Sequence, residues 1–106
     1  MKKKKLKPPE LSEHEIQQQI LCYLEAKGIY HWRNNVGRKH NLYFGKKGSA
    51  DITGILKNGI RLEIEVKDRD GKQSEEQIEF ERMIKKNNGI YILARSVDDV
   101  IIKLFK

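Results

Sequence analysis

The chain holds a single cysteine, Cys22, among its 106 residues, so no disulfide can close within it. No Cys/His spacing of the zinc-binding kind occurs either. Cys22 falls in a helical pattern, where a free thiol behaves as a small hydrophobe, and a reducing cytoplasmic compartment is the expectation. The two prolines stand side by side as Pro8-Pro9, a pair no helix runs through. No apolar run approaches the roughly 18 residues of a membrane span. The N-terminus is charged but lacks an apolar stretch behind it, so it does not read as a secretory signal. No internal repeat is visible.

Acidic residues are also short in number, 15 Asp/Glu against 22 Lys/Arg, for a net charge of +7. The surplus is uneven. Residues 1–50 hold 11 basic and 4 acidic side chains, whereas residues 51–106 hold 11 of each. Five of the lysines lie in Lys2–Lys5 and Lys7, and residues 1–10 read as a basic disordered arm. Such a surplus favours a polyanion, nucleic acid first, because phosphate contacts release counterions. The arm alone is equally compatible with a solubilising tail. The remaining 11–106 suit one globular domain with a modest core.

Ser12 to about Lys27 reads as a helix, with Ser12 and Glu15 spaced as a capping box and Gly28 at the stop. Its apolar positions, Ile16, Ile20, Leu21 and Leu24, share one face, and Glu13 points into that face while Glu15 points away. Ile29–Arg33 is a strand candidate. Asn34 to Ser49 is a long polar loop with three glycines. Asp51–Leu56 is a second strand, joined through Asn58-Gly59, a type I′ turn signal, to a third at Ile60–Lys67. Ser74 to about Asn88 is a second helix with Ser74 and Gln77 as its capping box. Phe80, Ile84 and either Ile78 or Met83 form its apolar side. Ile90–Ala94 is a nearly continuous apolar run suited to a buried strand. Val97–Phe105 fits a short helix or strand covering an edge. The order αβββαβ predicts an α/β domain, a mixed sheet flanked by helices, with the last strand parallel to the one before it.

The third strand carries the chemistry. Leu62, Ile64 and Val66 face one side, so Glu63, Glu65 and Lys67 share the other. A solvated outer face has this pattern too. The neighbouring strand adds Asp51 behind Gly48-Ser49-Ala50, and the hairpin sets Asp51 at a similar distance from the turn as Glu65 or Lys67. Two carboxylates beside a lysine suit a hard cation, Mg²⁺ or Mn²⁺. Such an ion polarises a phosphodiester and lowers the pKa of bound water, and the lysine steadies developing charge or orients that water.

Asp51…Glu65-x-Lys67 resembles the PD-(D/E)XK nuclease signature. The longer pattern is similar to its VRR-NUC branch, the virus-type replication-repair nucleases. It comprises Glu13-x-x-x-Gln17 with Tyr23-Leu24, Arg33-Asn34-Asn35-x-Gly37, Gly48-Ser49-Ala50-Asp51, Ile64-Glu65-Val66-Lys67, Gly71-Lys72-x-Ser74-x-x-Gln77-x-x-Phe80 and Gly89-Ile90-Tyr91. Ala50 stands where that family usually has proline, a change that removes stiffness but no ligand.

The resemblance implies a restriction-endonuclease-like fold and DNA cleavage with Mg²⁺ or Mn²⁺. It implies a stand-alone, phage-type homodimer in the host cytoplasm, acting on branched DNA such as four-way (Holliday) junctions. It carries Asp51 and Glu65 over as metal ligands, with the Val66 carbonyl as a third. Lys67 carries over as catalytic lysine and Gln77 as the second-helix glutamine supporting the site. Gln77 also fits a purely capping role. The family further expects a first-helix acid near the metal, for which Glu13 is preferred and Glu15 is left to the cap. Arg33, Asn35, Arg38, Lys39, Lys46 and Lys47 would line the approach to Asp51 and contact phosphates without reading sequence. Trp32, Tyr43 and Phe44 fit packing or dimer contacts, and His14, His31 and His40 show no ligand spacing. The rival readings are a nicking or restriction-like endonuclease on the same fold and a non-catalytic DNA-binding recombination accessory module.

Overall fold

The computed structural model describes residues 10–34, 37–39, 42–44 and 46–105. In order, its elements are α1 (Glu13–Ala26), β1 (Tyr30–Arg33), β2 (Gly37–Lys39), β3 (Leu42–Phe44), β4 (Ile52–Ile55), β5 (Arg61–Val66), α2 (Glu75–Lys86), β6 (Ile90–Ala94) and α3 (Val97–Phe105). The basic arm expected over residues 1–10 lies outside the described residues except for Glu10. No helix among the described residues is long and apolar enough to cross a membrane.

Four strands form one sheet in the order β1-β4-β5-β6. The β1–β4 and β4–β5 pairs are antiparallel, whereas β5 and β6 run parallel across the α2 crossover. The sheet is thus mixed, as the αβββαβ order predicts.

Three helices cover its two faces. Ile16, Ile20 and Leu24 of α1 and Val100 of α3 join Leu62, Ile64 and Val66 of β5 and Ile92 and Ala94 of β6 in the main core. On the opposite face, Phe80 of α2 packs with Tyr91 and Ala50, backed by Ile84 and Leu93. Both faces of β5 are consequently covered. Glu63 is fully buried and Glu65 is only 3% exposed, which overturns the solvated-face reading of that strand.

Several sequence-based expectations shift. The segment read as a plain loop from Asn34 to Ser49 contains a two-stranded antiparallel ladder, Gly37–Lys39 with Leu42–Phe44. Three-residue strands are too short to show a period of two, so pattern reading misses them. The Asn58-Gly59 turn is not type I′. Only Gly59 has positive φ there, and its N–H donates to Leu56 O at 2.8 Å while the Leu56 N–H donates to Ile60 O. That is a three-residue loop closed by a left-handed glycine. The undecided Val97–Phe105 segment is a helix, packed on α1 and β6. Ile78 and Met83 are both exposed, so of the apolar residues expected on that side Phe80 and Ile84 face inward.

Candidate active site

The β4–β5 register sets Ile52 opposite Ile64 and Thr53 opposite Glu63. One step outward, Asp51 lies across from Glu65 on the face that α2 covers. Asp51 Oδ2 accepts the Val66 N–H at 2.7 Å, which fixes the Asp51 carboxylate against β5. The register therefore makes neighbours of two acids fourteen residues apart in sequence, counting from 51 to 65.

Glu65 is the anomaly of the molecule. Its Oε1 accepts from Gln77 Nε2 at 3.1 Å. Its Oε2 is buried and has no hydrogen-bond partner among the described residues. Burial pushes its carboxyl up to about 9, the nearby Asp51 charge and an Asp51 contact push the same way, Lys67 opposes them, and Glu13 adds a further upward push. A buried, unpartnered carboxylate oxygen is costly unless a cation meets it.

Helix α2 delivers the third contact through its cap. The Ser74 hydroxyl accepts the Gln77 N–H, and Gln77 Oε1 accepts the Ser74 N–H at 2.9 Å. Gln77 thus closes the capping box with its oxygen and holds Glu65 with its nitrogen. The cap and the contact to Glu65 share one amide.

Glu13 and Glu15 separate. Glu15 closes the α1 capping box with Ser12. Glu13 is exposed at the first turn of α1, so it carries no burial cost, contrary to the packing-face argument: a residue in the first turn has no preceding helical turn to shield it, whatever face it shares with Ile16 and Ile20. Its charge still acts on Glu65. Lys67 is half-buried at the end of β5, and its N–H donates to Ala94 O at 3.0 Å. Val66 contributes its N–H to Asp51 and its side chain to the core.

The basic approach is described in part. Arg33 and Lys46 are exposed. Lys47 Nζ pairs with Glu76 Oε1 at 2.9 Å, and that ammonium holds the Glu76 carboxyl below its usual range. Asn35 and the side chains of Arg38 and Lys39 lie outside the described residues, as do His40 and the side chains of Tyr43 and Phe44. Trp32 is exposed in edge-to-face contact with Tyr30. His31 Nδ1–H donates to Ile29 O, a structural role.

A cleft of about 490 Å³ runs between the Lys47–Asp51 segment and the start of α2, with Asn34, Asp51, Glu65 and Gln77 in its wall. Gly48 makes the close approach possible. It sits at φ +85°, and a Cβ there would lie 2.4 Å from Glu76 O.

Sequence reasoning passed over a second set of polar residues. The Thr53 hydroxyl donates to the Glu63 carboxylate (2.8 and 3.0 Å to its two oxygens) and accepts from Asn34 Nδ2 at 2.7 Å. Arg61 Nε donates to Glu63 Oε1 at 2.7 Å. Asn34 Nδ2 also donates to Ala50 O, and the Asn34 N–H donates to Asp51 O. The chain Arg61–Glu63–Thr53–Asn34 thereby braces the backbone carbonyls before and after the Asp51 Cα. A threonine in an otherwise apolar strand, opposite a glutamate, was the available signal. Tyr91 is similar: its buried hydroxyl accepts from Gln73 Nε2, and burial, with Glu65, Glu81 and Asp51 nearby, raises its pKa.

No family model matches the sequence, and no curated protein matches it. A solved structure described as a VRR_NUC domain superposes with a TM-score of 0.68 at 20% identity, over 91% of this chain and the whole of its own. The chain has the fold of a VRR_NUC domain. In that VRR_NUC fold the cleft bearing Asp51 and Glu65 lies at the ends of the central strands β4 and β5, where the first turn of α2 meets them.

Among the described residues no three His, Cys, Asp or Glu side chains are grouped to cage an ion. Two carboxylates, one with a buried unpartnered oxygen, are a smaller donor set. It fits Mg²⁺ or Mn²⁺, since Mg²⁺ typically binds through one or two carboxylates, several waters and substrate phosphates.

Proposed function

We propose that this chain is a VRR-NUC-type nuclease that hydrolyses phosphodiester bonds in DNA with Mg²⁺ or Mn²⁺. The observation that carries the reading is the buried, unpartnered Glu65 Oε2 beside Asp51, an arrangement that a divalent cation would complete. Asp51 and Glu65 would hold the ion, with the Val66 carbonyl as a further oxygen and Glu13 reaching it through water. When bound, the ion supplies charge stabilisation and a more acidic water.

The chain's own groups divide the remaining work. Lys67 meets the developing phosphorane charge or orients the attacking water. Gln77 fixes the direction of Glu65. Asn34 fixes the peptide that carries Asp51. Arg33, Asn35, Arg38, Lys39, Lys46 and Lys47 contact phosphates on the approach and position the duplex without reading bases. The basic arm adds long-range attraction.

Branched DNA, four-way junctions above all, is the proposed substrate, and the proposed active form is a homodimer. Paired cuts across a junction need two equivalent sites, which two-fold assembly supplies. The sheet edge at β1, with exposed Tyr30 and Trp32, is a suitable contact surface.

Linear duplex, nicked, flap and four-way DNA incubated with Mg²⁺, Mn²⁺ or EDTA tests the reading. Cleavage is expected only with metal and fastest on the four-way substrate. Equal cutting of all four forms would replace the junction specificity with a general or nicking endonuclease. Binding without cutting under every condition would favour the accessory module.

A further inference from the structure

We propose that Arg95 is a positioning residue for Lys67, acting through the loop that leads from β5 to α2. The inference rests on the reading of Lys67 as the lysine of a phosphodiester-cleaving site.

Arg95 comes directly after the last residue of β6. Its Nη1 donates to Asp68 O at 2.6 Å and to Gly71 O at 2.8 Å, with a longer contact to Arg69 O at 3.4 Å. One guanidinium nitrogen therefore gathers the carbonyls of the loop that begins directly after Lys67. The loop is also tied from within: Asp68 Oδ1 accepts the N–H groups of Asp70 and Gly71. The preceding residue of β6, Ala94, accepts the Lys67 N–H. Ala94 thus fixes the Lys67 backbone, and Arg95 fixes the Asp68–Gly71 loop beyond it.

The loop in turn walls the Lys67 side chain. A Cβ added at Gly71 would lie 3.2 Å from Asp68 Oδ1, 3.2 Å from Lys67 Cδ and 3.3 Å from Lys67 Cβ. The alkyl stem of Lys67 thus runs against the Gly71 backbone, which Arg95 holds by its carbonyl. A flexible four-carbon stem gains direction from such a wall. Arg95 is exposed, and Asp68 and Gly71 are half-buried, so the clamp is peripheral to the core and its loss is expected to leave the fold intact. Fixed geometry is where catalysis is sensitive, since a misplacement of about 1 Å can cost on the order of 100-fold in rate.

Hydrogen exchange, DNA affinity and single-turnover cleavage at saturating protein separate the possibilities. In Arg95→Ala, amides of residues 67–73 should exchange at least about tenfold faster while those of β5 and β6 stay protected. Affinity for DNA in EDTA should stay within about twofold, and the cleavage rate should fall about 10- to 100-fold. Arg95→Lys should recover part of that rate. Gly71→Ala, which crowds both Lys67 and the Asp68 carboxylate that ties the loop, should slow cleavage as well, and the double variant should lose less than the product of the two single losses.

Unchanged exchange over residues 67–73 in Arg95→Ala would overturn the clamp. Faster exchange with wild-type cleavage would overturn its link to Lys67. A loss confined to DNA affinity would make Arg95 a phosphate contact instead. A wild-type protein that cuts no substrate would sink the nuclease reading and this consequence together, while the exchange result would still report on the clamp.

Discussion

Gln77 holds Glu65 and caps its own helix with a single side-chain amide, the nitrogen donating to Glu65 Oε1 at 3.1 Å and the oxygen accepting the Ser74 N–H at 2.9 Å. The start of α2 is therefore coupled to the acid that sits beside Asp51. A rotation of this one amide would break both contacts.

Replacing Gln77 separates the two roles. Gln77→Glu keeps a capping-box oxygen but loses the amide donor to Glu65. Stability should change little, while cleavage falls at least about tenfold. Gln77→Ala loses the cap as well, at about 1 kcal/mol. Urea denaturation and a cleavage assay on both variants check the split; equal activity in all three proteins would reduce Gln77 to a cap.

Glu65 gives the metal-free protein a definite pH dependence. Its folded-state pKa, about 9, lies above its ordinary value of 4.5, so the folded protein holds a proton that the unfolded chain releases. Its contribution is fully present below about pH 4.5 and is lost as pH rises toward 9. Glu65→Gln should remove this slope and stabilise the metal-free protein at pH 8 by about 1–3 kcal/mol, the cost of an unsatisfied buried group, while abolishing cleavage. Denaturation in EDTA across that pH range measures it; a wild-type slope equal to the variant's would mean that Glu65 has another partner.

Much of this site was legible from residue order alone. The alternation of β5 and the turn at Asn58-Gly59 bring Asp51 near Glu65 or Lys67, the β4–β5 register decides for Glu65, and the family resemblance rather than spacing pointed Gln77 at the site. Burial was not legible. Glu63 and Glu65 are consistent with an outward face until α2 is known to lie over them, because the covering layer comes from a helix that follows the strand. The Arg61–Glu63–Thr53–Asn34 chain was hidden for the same reason: it joins residues from three strand regions, and no sequence spacing encodes it. Glu13 shows the converse limit, since the helix-face argument gives its direction but not whether anything covers the first turn.

Thr53 links a buried acid to the backbone before Asp51. Thr53→Val keeps the shape but removes the hydroxyl that donates to Glu63 and accepts from Asn34. A loss of about 2 kcal/mol is expected, the scale of leaving a buried charged group short of a donor, together with slower cleavage through a less fixed Asp51. Thermal denaturation and single-turnover rates check both; an unchanged midpoint would mean that the network contributes nothing to stability.

Deleting residues 2–7 tests the arm. Each lysine that meets a phosphate adds about 0.9 to the slope of log affinity against log salt, so removing five should flatten the slope by at most about 4.5. Binding titrations at several salt concentrations give the value directly. An unchanged slope would make the arm a solubility tail.

Asp51, Glu65 and Lys67 stand or fall together as a metal-dependent phosphodiester-cleaving centre. The decisive experiment is single-turnover cleavage of a labelled four-way DNA by wild type, Asp51→Asn and Lys67→Ala, each with Mn²⁺ and with EDTA, alongside binding measured in EDTA. Wild type should cut only with metal, and both variants should bind the DNA with near-normal affinity yet cut at least about 100-fold more slowly. Cleavage by either variant at the wild-type rate, or by wild type in EDTA, would contradict that assignment.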